Sequence, residues 1–510
     1  MAEAVDLAEL RKRIAAADVY DLACRTPLEE AASLGTDTQR IWLKREDQQD
    51  VFSFKIRGAA NRMAGLSAAD CARGVVAASA GNHAQGVASA ARHHGCASTI
   101  FMPVTTPPIK VDAVRAMGST VRLEGESYDA ACEAAVAFAD EAGAVFIHPF
   151  DELPVIAGQG TVGRELLEEM PSPAAIYVCC GGGGLVSGIG AWAKWLSPDT
   201  RIIAVEAEGA PTLHTALAAG GVTTLPHIDT FADGAAVRTI GELTYAICRE
   251  VVDEVVLVTN DEISAAVRDI FEATRTVVEP AGALALAGAA KQMRDGTAPS
   301  GELVCTVSGA NVNFDRIGHI VERAELGAGE EMLLAVTLPE ERGSFLRFVE
   351  VLGDRAVTEF NYRFEAGPHP DKTEAHILVG IKTSDFAERA TLVEALGAAG
   401  FPALDLSRDS LAKRHLRHLV GGRSAAGVEE RIFRVEFPER PGALSHFLTR
   451  LDSRWNISLF HYRNHGAVQG HVLCGFHLPR GDAGALRASL DALGYPVVEE
   501  TDAAAARFFL

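Results

Sequence analysis

The chain lacks the composition of a nucleic-acid-binding or membrane protein. Its 510 residues carry 47 Lys and Arg against 68 Asp and Glu, a formal net charge of −21, which repels phosphate backbones and anionic lipid. No apolar run approaches the length needed to span a bilayer. The segment Met1–Leu10 lacks the basic-then-apolar pattern of a secretion signal. These absences predict no nucleic-acid partner, no membrane and a cytoplasmic location.

Cysteines at metal-binding or redox spacing are also missing. The chain has nine cysteines, an odd number, and no two of them stand at CxxC spacing. No pair of histidines has a convincing metal-ligand spacing either. The pattern favours reduced thiols over a disulfide framework or a zinc site, and it predicts no metal.

The first three-fifths of the chain has the pattern of an α/β fold. Short apolar runs alternate with Ala-rich helical stretches, and a chain of this length is expected to form more than one domain. The predicted strands are 74–78, 98–102, 176–180, 202–205 and 303–307, and the predicted helices include 84–92 and 186–196. This alternation predicts a parallel sheet covered on both faces by helices.

The remainder contains an internal repeat. The segment 339–346 resembles 438–444, and 358–363 resembles 458–463, with Gly343 and Gly442 99 residues apart and Tyr362 and Tyr462 100 apart. Each copy has the pattern of a small α+β module of about 70 residues. A pair of modules appended to a larger domain indicates regulation, and the alternative is that the repeats only mediate assembly.

A run of four glycines follows one predicted strand and precedes a predicted helix. Glycines 181–184 let the backbone approach a ligand closely, and the helix N-terminus offers unpaired N–H groups. The run lacks the Gly-Lys-Ser/Thr ending of a nucleotide P-loop, and it does not occupy the usual place of a dinucleotide fingerprint. A monophosphate fits it best, with a flexible turn as the alternative.

Three further segments carry side chains with suitable chemistry. Lys55 stands between apolar neighbours, where desolvation makes an amine nucleophilic toward an aldehyde. Asn82 and His83 follow a strand-to-helix turn suited to a carboxylate, and Asn82 can donate to a ring hydroxyl or accept from it. Ser308 ends the last strand. Each alone has an ordinary structural explanation, but together they are the parts of a pyridoxal-phosphate site.

Taken together, these segments make the chain resemble the biosynthetic threonine ammonia-lyases, which are fold-type II pyridoxal-phosphate enzymes. The resemblance covers nearly the whole chain and rests on the segments 44–47, 53–58, 78–86, 158–161, 181–185, 279–283 and 308–314. It implies a tryptophan synthase β-like α/β catalytic domain followed by two α+β ACT-like regulatory domains. The domains would span 1–325, 332–404 and 430–501.

The resemblance also implies roles for single residues. Lys55 would hold pyridoxal phosphate covalently and, once released, take the α-proton, while Asn82 would meet the ring 3′-hydroxyl and Ser308 the pyridine nitrogen. The phosphate would be bound by the N–H groups of Gly181, Gly182, Gly183, Gly184 and Leu185. The substrate carboxylate would be bound by Ser79, Ala80, Gly81, Asn82 and His83. The substrate would be L-threonine, possibly also L-serine, and the products 2-oxobutanoate and ammonia.

For the repeats, the resemblance implies inhibition by isoleucine, opposition by valine, and a homotetramer. Candidate effector residues are Tyr362, Arg363, Tyr462 and Arg463, with packing at a domain interface as the alternative. Two positions depart from the family pattern, Asp233 for glutamate and Ala281 for the usual serine, and neither is expected to touch the cofactor sites.

The alternatives are a serine dehydratase, a serine racemase, a threonine synthase, or a non-catalytic amino-acid sensor. Ala80 cannot act as the base that related racemases place there, and the paired repeats argue against the other enzymes. The retention of Lys55 argues against a sensor.

Overall fold

The computed structural model describes residues 6–339, 344–353, 355, 357–362, 374–414, 416, 429–438, 455–463, 469–478 and 482–509. The chain divides into two compact units, Met1–Ala324 and Glu325–Leu510. Within the described ranges, no helix is long and apolar enough to cross a bilayer.

The first unit alternates helices and strands. Its helices, with α13 running past its end, are α1 Leu7–Ala16, α2 Lys55–Ala64, α3 Ala68–Arg73, α4 Asn82–His94, α5 Pro108–Ala116, α6 Tyr128–Ala142, α7 Leu153–Glu169, α8 Gly184–Leu196, α9 Thr212–Ala219, α10 Glu242–Val251, α11 Asn260–Thr274, α12 Pro280–Arg294 and α13 Ile317–Ala328. Its strands are β1 Leu28–Glu30, β2 Gln39–Arg45, β3 Val75–Ala78, β4 Ser98–Met102, β5 Thr120–Leu123, β6 Val145–Phe146, β7 Ala175–Cys179, β8 Arg201–Ala207, β9 Glu254–Val258 and β10 Gly301–Val307. Short 3-10 turns cover Ala32–Leu34, Glu46–Gln48 and Phe314–Arg316.

The strands of this unit form two sheets, where the sequence predicted one. One sheet has the order β1-β2-β10-β7-β8-β9 and is parallel except for β1, and the other is parallel with the order β5-β4-β3-β6. The alternation of strands and helices is a local pattern, so it does not determine which strands pair. Because β7 and β10 are parallel neighbours, their carboxyl ends lie at the same edge of the larger sheet.

Close helix packing brings α7 against α8. A Cβ atom built on Gly188 of α8 would lie 2.8 Å from the Cα of Gly160 in α7, closer than real Cβ contacts. Only glycine therefore fits at this crossing. Buried apolar residues of both helices and of β7, β8 and β10 form the main core, including Val162, Ile189 and Val304.

The second unit consists of two modules that confirm the predicted repeat. Its elements are β11 Glu331–Pro339, α14 Ser344–Leu352, β12 Val357–Tyr362, β13 Glu374–Lys382, α15 Phe386–Ala398, β14 Ala403–Asp405, α16 Ser410–Arg414, β15 Glu429–Pro438, β16 Asn456–Arg463, β17 Gln469–Leu478, α18 Ala483–Asp491, β18 Val497–Glu499 and α19 Ala504–Phe509. The two antiparallel sheets have corresponding orders, β12-β13-β11-β14 and β16-β17-β15-β18. Both carry a register shift at equivalent positions, between Val357 and Glu359 and between Ile457 and Leu459.

The expectation of reduced thiols is wrong for two cysteines. Cys71 and Cys96 form a disulfide with their Cα atoms 5.0 Å apart, while the other seven are free. The two residues are 25 positions apart, and their proximity arises only when α3 packs beside the turn that follows α4. Spacing along the sequence therefore gave no indication of the pair.

A buried ion network joins β2, α2 and α7. Arg57 donates to Glu46 at 2.7 and 2.8 Å and to Glu165 at 2.6 and 3.0 Å, and Lys44 donates to Glu165 at 2.8 Å. All four side chains are at most 1% exposed. Although burial opposes ionisation, Arg57 and Lys44 hold the pKa of Glu165 below its usual value. The four charges are thus compensated inside the protein.

Replacing Arg57 by methionine should be strongly destabilising. The change leaves Glu46 and Glu165 short of a buried partner, and breaking such a pair costs about 3–5 kcal/mol. Denaturant unfolding followed by tryptophan fluorescence measures the effect. Arg13→Met, which removes a half-exposed pair with Glu9, is the control and should cost less than about 0.5 kcal/mol. Equal unfolding midpoints for the two variants would contradict the stabilising role of the network.

Candidate active site

Lys55 is the first residue of α2 and is tied to the end of β10. The amide of Phe54 donates to the Ser308 carbonyl at 3.2 Å, and the amide of Ala310 donates to the Phe52 carbonyl at 2.8 Å. Phe52 has a positive φ of 56°, a conformation unusual for a bulky residue and typical of functional turns. This turn directs the lysine side chain toward the edge where β7 and β10 end.

The Lys55 amine is desolvated. The residue is half-buried where it borders a pocket, and Nζ donates to the Pro149 carbonyl at 2.8 Å. Burial lowers the pKa of Lys55 to about 8, partly offset by Cys179 and Glu279. At pH 7.5 about a quarter of such amines are neutral, compared with about 0.1% for an ordinary lysine. The amine can therefore react with a carbonyl group near neutral pH.

The glycine loop connects β7 to α8 beside this amine. Gly183 has a φ of +87°, and a Cβ there would lie 2.8 Å from Cβ of Thr244; a Cβ on Gly181 would lie 2.8 Å from the Ala235 Cα. Packing thus excludes side chains from the loop. Because α8 begins at Gly184, the first N–H groups of that helix lack intrahelical partners and can bind an anion.

Asn82 and Ser308 complete the pocket. Asn82 begins α4 and is buried, and its Nδ2 donates to Glu279 Oε1 at 2.6 Å. Ser308 follows β10, and its hydroxyl donates to the Ala281 carbonyl at 3.2 Å. Both residues line one pocket with Lys55 and the loop 181–185. The structure therefore brings together all the residues predicted to contact the cofactor.

The predicted carboxylate loop lies at the start of α4, and only Asn82 of its five residues lines the pocket. Ser79 Oγ accepts from the Gly81 amide at 3.1 Å. His83 is buried with Nε2 2.9 Å from the Ile147 carbonyl. Burial lowers the pKa of His83 to about 3, so the ring is neutral and donates to that carbonyl. Substrate binding by residues 79–83 stays a prediction.

The two departures from the family pattern lie nearer the site than expected. Ala281 lines the pocket and accepts the Ser308 hydrogen bond, which corrects the expectation that it stays clear of the cofactor residues. Asp233 accepts from Lys110 at 2.8 Å and from Arg316 at 3.1 Å, next to Gly234 in the pocket wall. Although burial opposes ionisation, these cations lower the pKa of Asp233 to about 2.

Several pocket residues were not assigned to the site from the sequence, although Phe54, Gln159 and Glu279 lie in segments that carry the family resemblance. They are Phe54, Pro149, Phe150, Gln159, Cys179, Gly234, Ala235 and Glu279. Glu279 stands before Pro280 at the start of α12, a position that reads as a helix boundary. Its presence in the pocket depends on the packing of α12 against the sheet, which no local signal indicates.

The effector candidates occupy equivalent positions in the two modules of the second unit. Tyr362 ends β12 opposite Ile377, and Tyr462 lies in β16 opposite Val472, followed by Arg463. Arg363 lies outside the described residues, as do the side chains of the other three. Their role therefore stays a prediction.

Pyridoxal phosphate, the cofactor that the resemblance implies, fits this pocket. A desolvated primary amine suits its aldehyde, and the crowded glycine loop at the start of α8 suits its phosphate. Asn82 and Ser308 offer polar groups in the lining of the same pocket. When bound there, the cofactor would be enclosed by Phe150 and the loop.

Comparison with known proteins agrees with this geometry. Residues 19–309 match the family described as pyridoxal-phosphate dependent enzyme. Residues 322–416 and 421–510 each match the C-terminal regulatory domain of threonine dehydratase. A biosynthetic L-threonine dehydratase of Burkholderia multivorans is 48% identical over 504 residues, covering 98% of both chains.

Solved structures share the fold of the first part. The processed threonine deaminase isoform 2 of Solanum lycopersicum aligns with a TM-score of 0.61 and 43% identity, over 63% of this chain and 89% of that one. A maize serine racemase aligns with a TM-score of 0.58 and 34% identity, over 62% and 97%. Since a lyase and a racemase share this fold, the fold alone does not decide the reaction.

The reactivity of Lys55 should follow its lowered pKa. Because only the neutral amine attacks a carbonyl, the capture rate of pyridoxal by cofactor-free protein should rise with pH, reach its midpoint near pH 8 and level off above about pH 9. Absorbance measurements across pH give the midpoint, with Lys55→Ala protein as the blank for surface lysines. A midpoint above about pH 10, that of an ordinary lysine, would show that the Lys55 amine is not desolvated.

Proposed function

The chain belongs to the pyridoxal-phosphate-dependent enzymes that carry a threonine dehydratase regulatory domain, and on this basis we propose that it deaminates L-threonine. It converts L-threonine to 2-oxobutanoate and ammonia, the first step of isoleucine biosynthesis. The observation that carries this function is the match to a biosynthetic threonine dehydratase over 98% of both chains. The pocket around Lys55 supplies the groups that the reaction needs.

Four groups would hold the cofactor. Lys55 would bind its carbonyl carbon, Asn82 would meet its ring oxygen and Ser308 its ring nitrogen, and the N–H groups of 181–185 would bind its phosphate. Bound pyridoxal phosphate supplies an electron-withdrawing ring that stabilises negative charge at the substrate α-carbon.

The protein's own groups move the protons. Lys55, with a pKa of about 8, can accept a proton from the α-carbon and hold it near neutral pH. Ser308 is a neutral hydroxyl that cannot transfer a full proton to the ring nitrogen, which would favour prompt loss of the substrate β-hydroxyl. Ala80 carries no acid or base, so the α-carbon has no second proton donor there and elimination is favoured over racemisation. Residues 79–83 bind the substrate carboxylate.

The second unit regulates the first. Its two modules match a regulatory domain, and we infer that they bind isoleucine as inhibitor and valine as its antagonist. The contacts would come from Tyr362, Arg363, Tyr462 and Arg463. We further propose domain limits of 1–325, 332–404 and 430–501, a homotetramer, and a cytoplasmic location. The division of the chain after Ala324 supports the first limit.

Lys55→Ala should abolish turnover. The expected loss of 2-oxobutanoate formation from L-threonine is about a thousandfold or more, since no other pocket amine replaces it. Lys12→Ala, on an exposed part of α1, is the control and should retain parent activity.

Comparing substrates separates the alternatives. A higher kcat/KM for L-serine, with pyruvate as product, would make the protein a serine dehydratase. Interconversion of serine enantiomers would make it a racemase. If the protein binds isoleucine but forms no 2-oxoacid from either amino acid, it is a non-catalytic amino-acid sensor.

Tyr462→Phe should weaken inhibition by isoleucine. Loss of one hydroxyl contact at an effector site predicts a rise of about tenfold in the inhibitory concentration, with kcat/KM unchanged when isoleucine is absent. Tyr495→Phe removes a hydroxyl elsewhere in the same module and should leave inhibition unaltered. The effector assignment fails if both variants respond like the parent.

A further inference from the structure

A directed chain of hydrogen bonds reaches the pocket from a backbone carbonyl. Asn311, three residues after Ser308, donates through Nδ2 to the Val51 carbonyl at 2.8 Å and to Asn82 Oδ1 at 2.6 Å. Asn82 in turn donates through Nδ2 to Glu279 Oε1 at 2.6 Å. Asn82 and Glu279 are 8% and 4% exposed, so water competes little for these bonds.

The chain has one allowed direction. A carbonyl oxygen can only accept, so Val51 fixes the amide of Asn311 with Nδ2 toward it. Reversing the amide of Asn82 would then place two NH₂ groups against each other, and its oxygen would meet Glu279, which is an ionised carboxylate above about pH 7. Both contacts would be repulsive, and each would leave buried polar groups unsatisfied.

This direction leaves Asn82 with one free donor. Its oxygen accepts from Asn311 and one Nδ2 hydrogen goes to Glu279, so the second Nδ2 hydrogen remains for a group in the pocket that Asn82 lines. The sequence had left open whether Asn82 donates or accepts. The partner of such a donor is an acceptor, which favours an ionised ring oxygen over a hydroxyl.

We propose that Glu279 and Asn311 are positioning residues that hold the amide of Asn82 as a hydrogen-bond donor toward the ring oxygen of the cofactor. The inference rests on the proposed function, because it takes pyridoxal phosphate as the occupant of the pocket. Glu279 contributes a charge-assisted bond that depends on its ionisation, and Asn311 contributes a neutral bond that does not.

Charged groups surround Glu279 on several sides. Burial raises the pKa of Glu279 to about 7, and Asp233 adds to the rise, while Lys110 and Arg316 oppose it. Lys55 and the Cys179 thiol also face it across the pocket. Above about pH 7 the carboxylate accepts strongly from Asn82, and below it the protonated acid accepts weakly. The Asn82 donor is therefore held most firmly above this pH.

A spectroscopic titration of the cofactor-loaded protein tests the proposal. The absorbance of the bound cofactor is recorded between about pH 6 and about pH 8.5 for the parent and for Glu279→Gln. The parent should show a transition with its midpoint near pH 7. Glu279→Gln keeps the shape and an acceptor oxygen but cannot titrate, so this transition should disappear while the cofactor stays bound. A flat parent spectrum, or an unchanged transition in the variant, would overturn the proposal.

Asn311→Ala provides a second variant in case Glu279→Gln does not fold. It removes the pH-independent bond to Asn82 together with the bond to the Val51 carbonyl, so cofactor affinity should fall about tenfold more below pH 7 than above it. Asn260→Ala breaks an asparagine side-chain bond of the same length as that from Asn311 to Val51, 2.8 Å to Asp229 and outside the pocket lining, and should show no such dependence. An equal loss of affinity for Asn311→Ala at all pH values would reject the positioning role.

Threonine turnover measured on the same preparations separates this proposal from the proposed function. A parent that binds the cofactor but forms no 2-oxobutanoate would refute the function. A parent that forms 2-oxobutanoate while Glu279→Gln titrates unchanged would refute only the positioning inference.

Discussion

The buried ion network around Arg57 is the constraint on which the arrangement of the active site depends. Four charged side chains with almost no exposure are stable only when their hydrogen bonds are complete. Completing them fixes β2, α2 and α7 relative to one another. Since Arg57 lies two residues after Lys55 at the start of α2, the network also determines where the reactive amine sits. The motif 44–47, which supported the family resemblance, therefore has a structural explanation in Lys44 and Glu46.

Burial adjusts the ionisable groups of the pocket toward neutral pH. It lowers the pKa of Lys55 to about 8 and raises that of Glu279 to about 7, whereas the cations beside Asp233 keep that carboxylate ionised. Lys55 is ordinarily a cation and Glu279 ordinarily an anion. In this pocket both gain and lose protons near neutral pH. The burial that makes the Lys55 amine nucleophilic also makes the ionisation of the Glu279 carboxyl sensitive to pH near neutrality.

Local patterns allowed prediction of the parts of the site that are contiguous in sequence. The sequence predicted the strand, glycine loop and helix around Gly183, because their periodicity and loop chemistry are local. It predicted the repeat because matching segments, including those with Tyr362 and Tyr462, recur about 100 residues apart. The division into two sheets, the Cys71–Cys96 disulfide and the placement of Glu279 were not predicted. Each of these depends on segments that are distant in sequence packing together, and such pairings leave no signal in a single stretch of residues.

Whether Lys55 is the reactive amine of the pocket is decided by identifying the lysine that carries the cofactor. Borohydride reduction of the protein loaded with pyridoxal phosphate makes the attachment permanent, and peptide mass spectrometry then locates it. The modified peptide should contain Lys55, and the other lysines should remain unmodified. Attachment at a different lysine, or no attachment at all, would contradict this assignment.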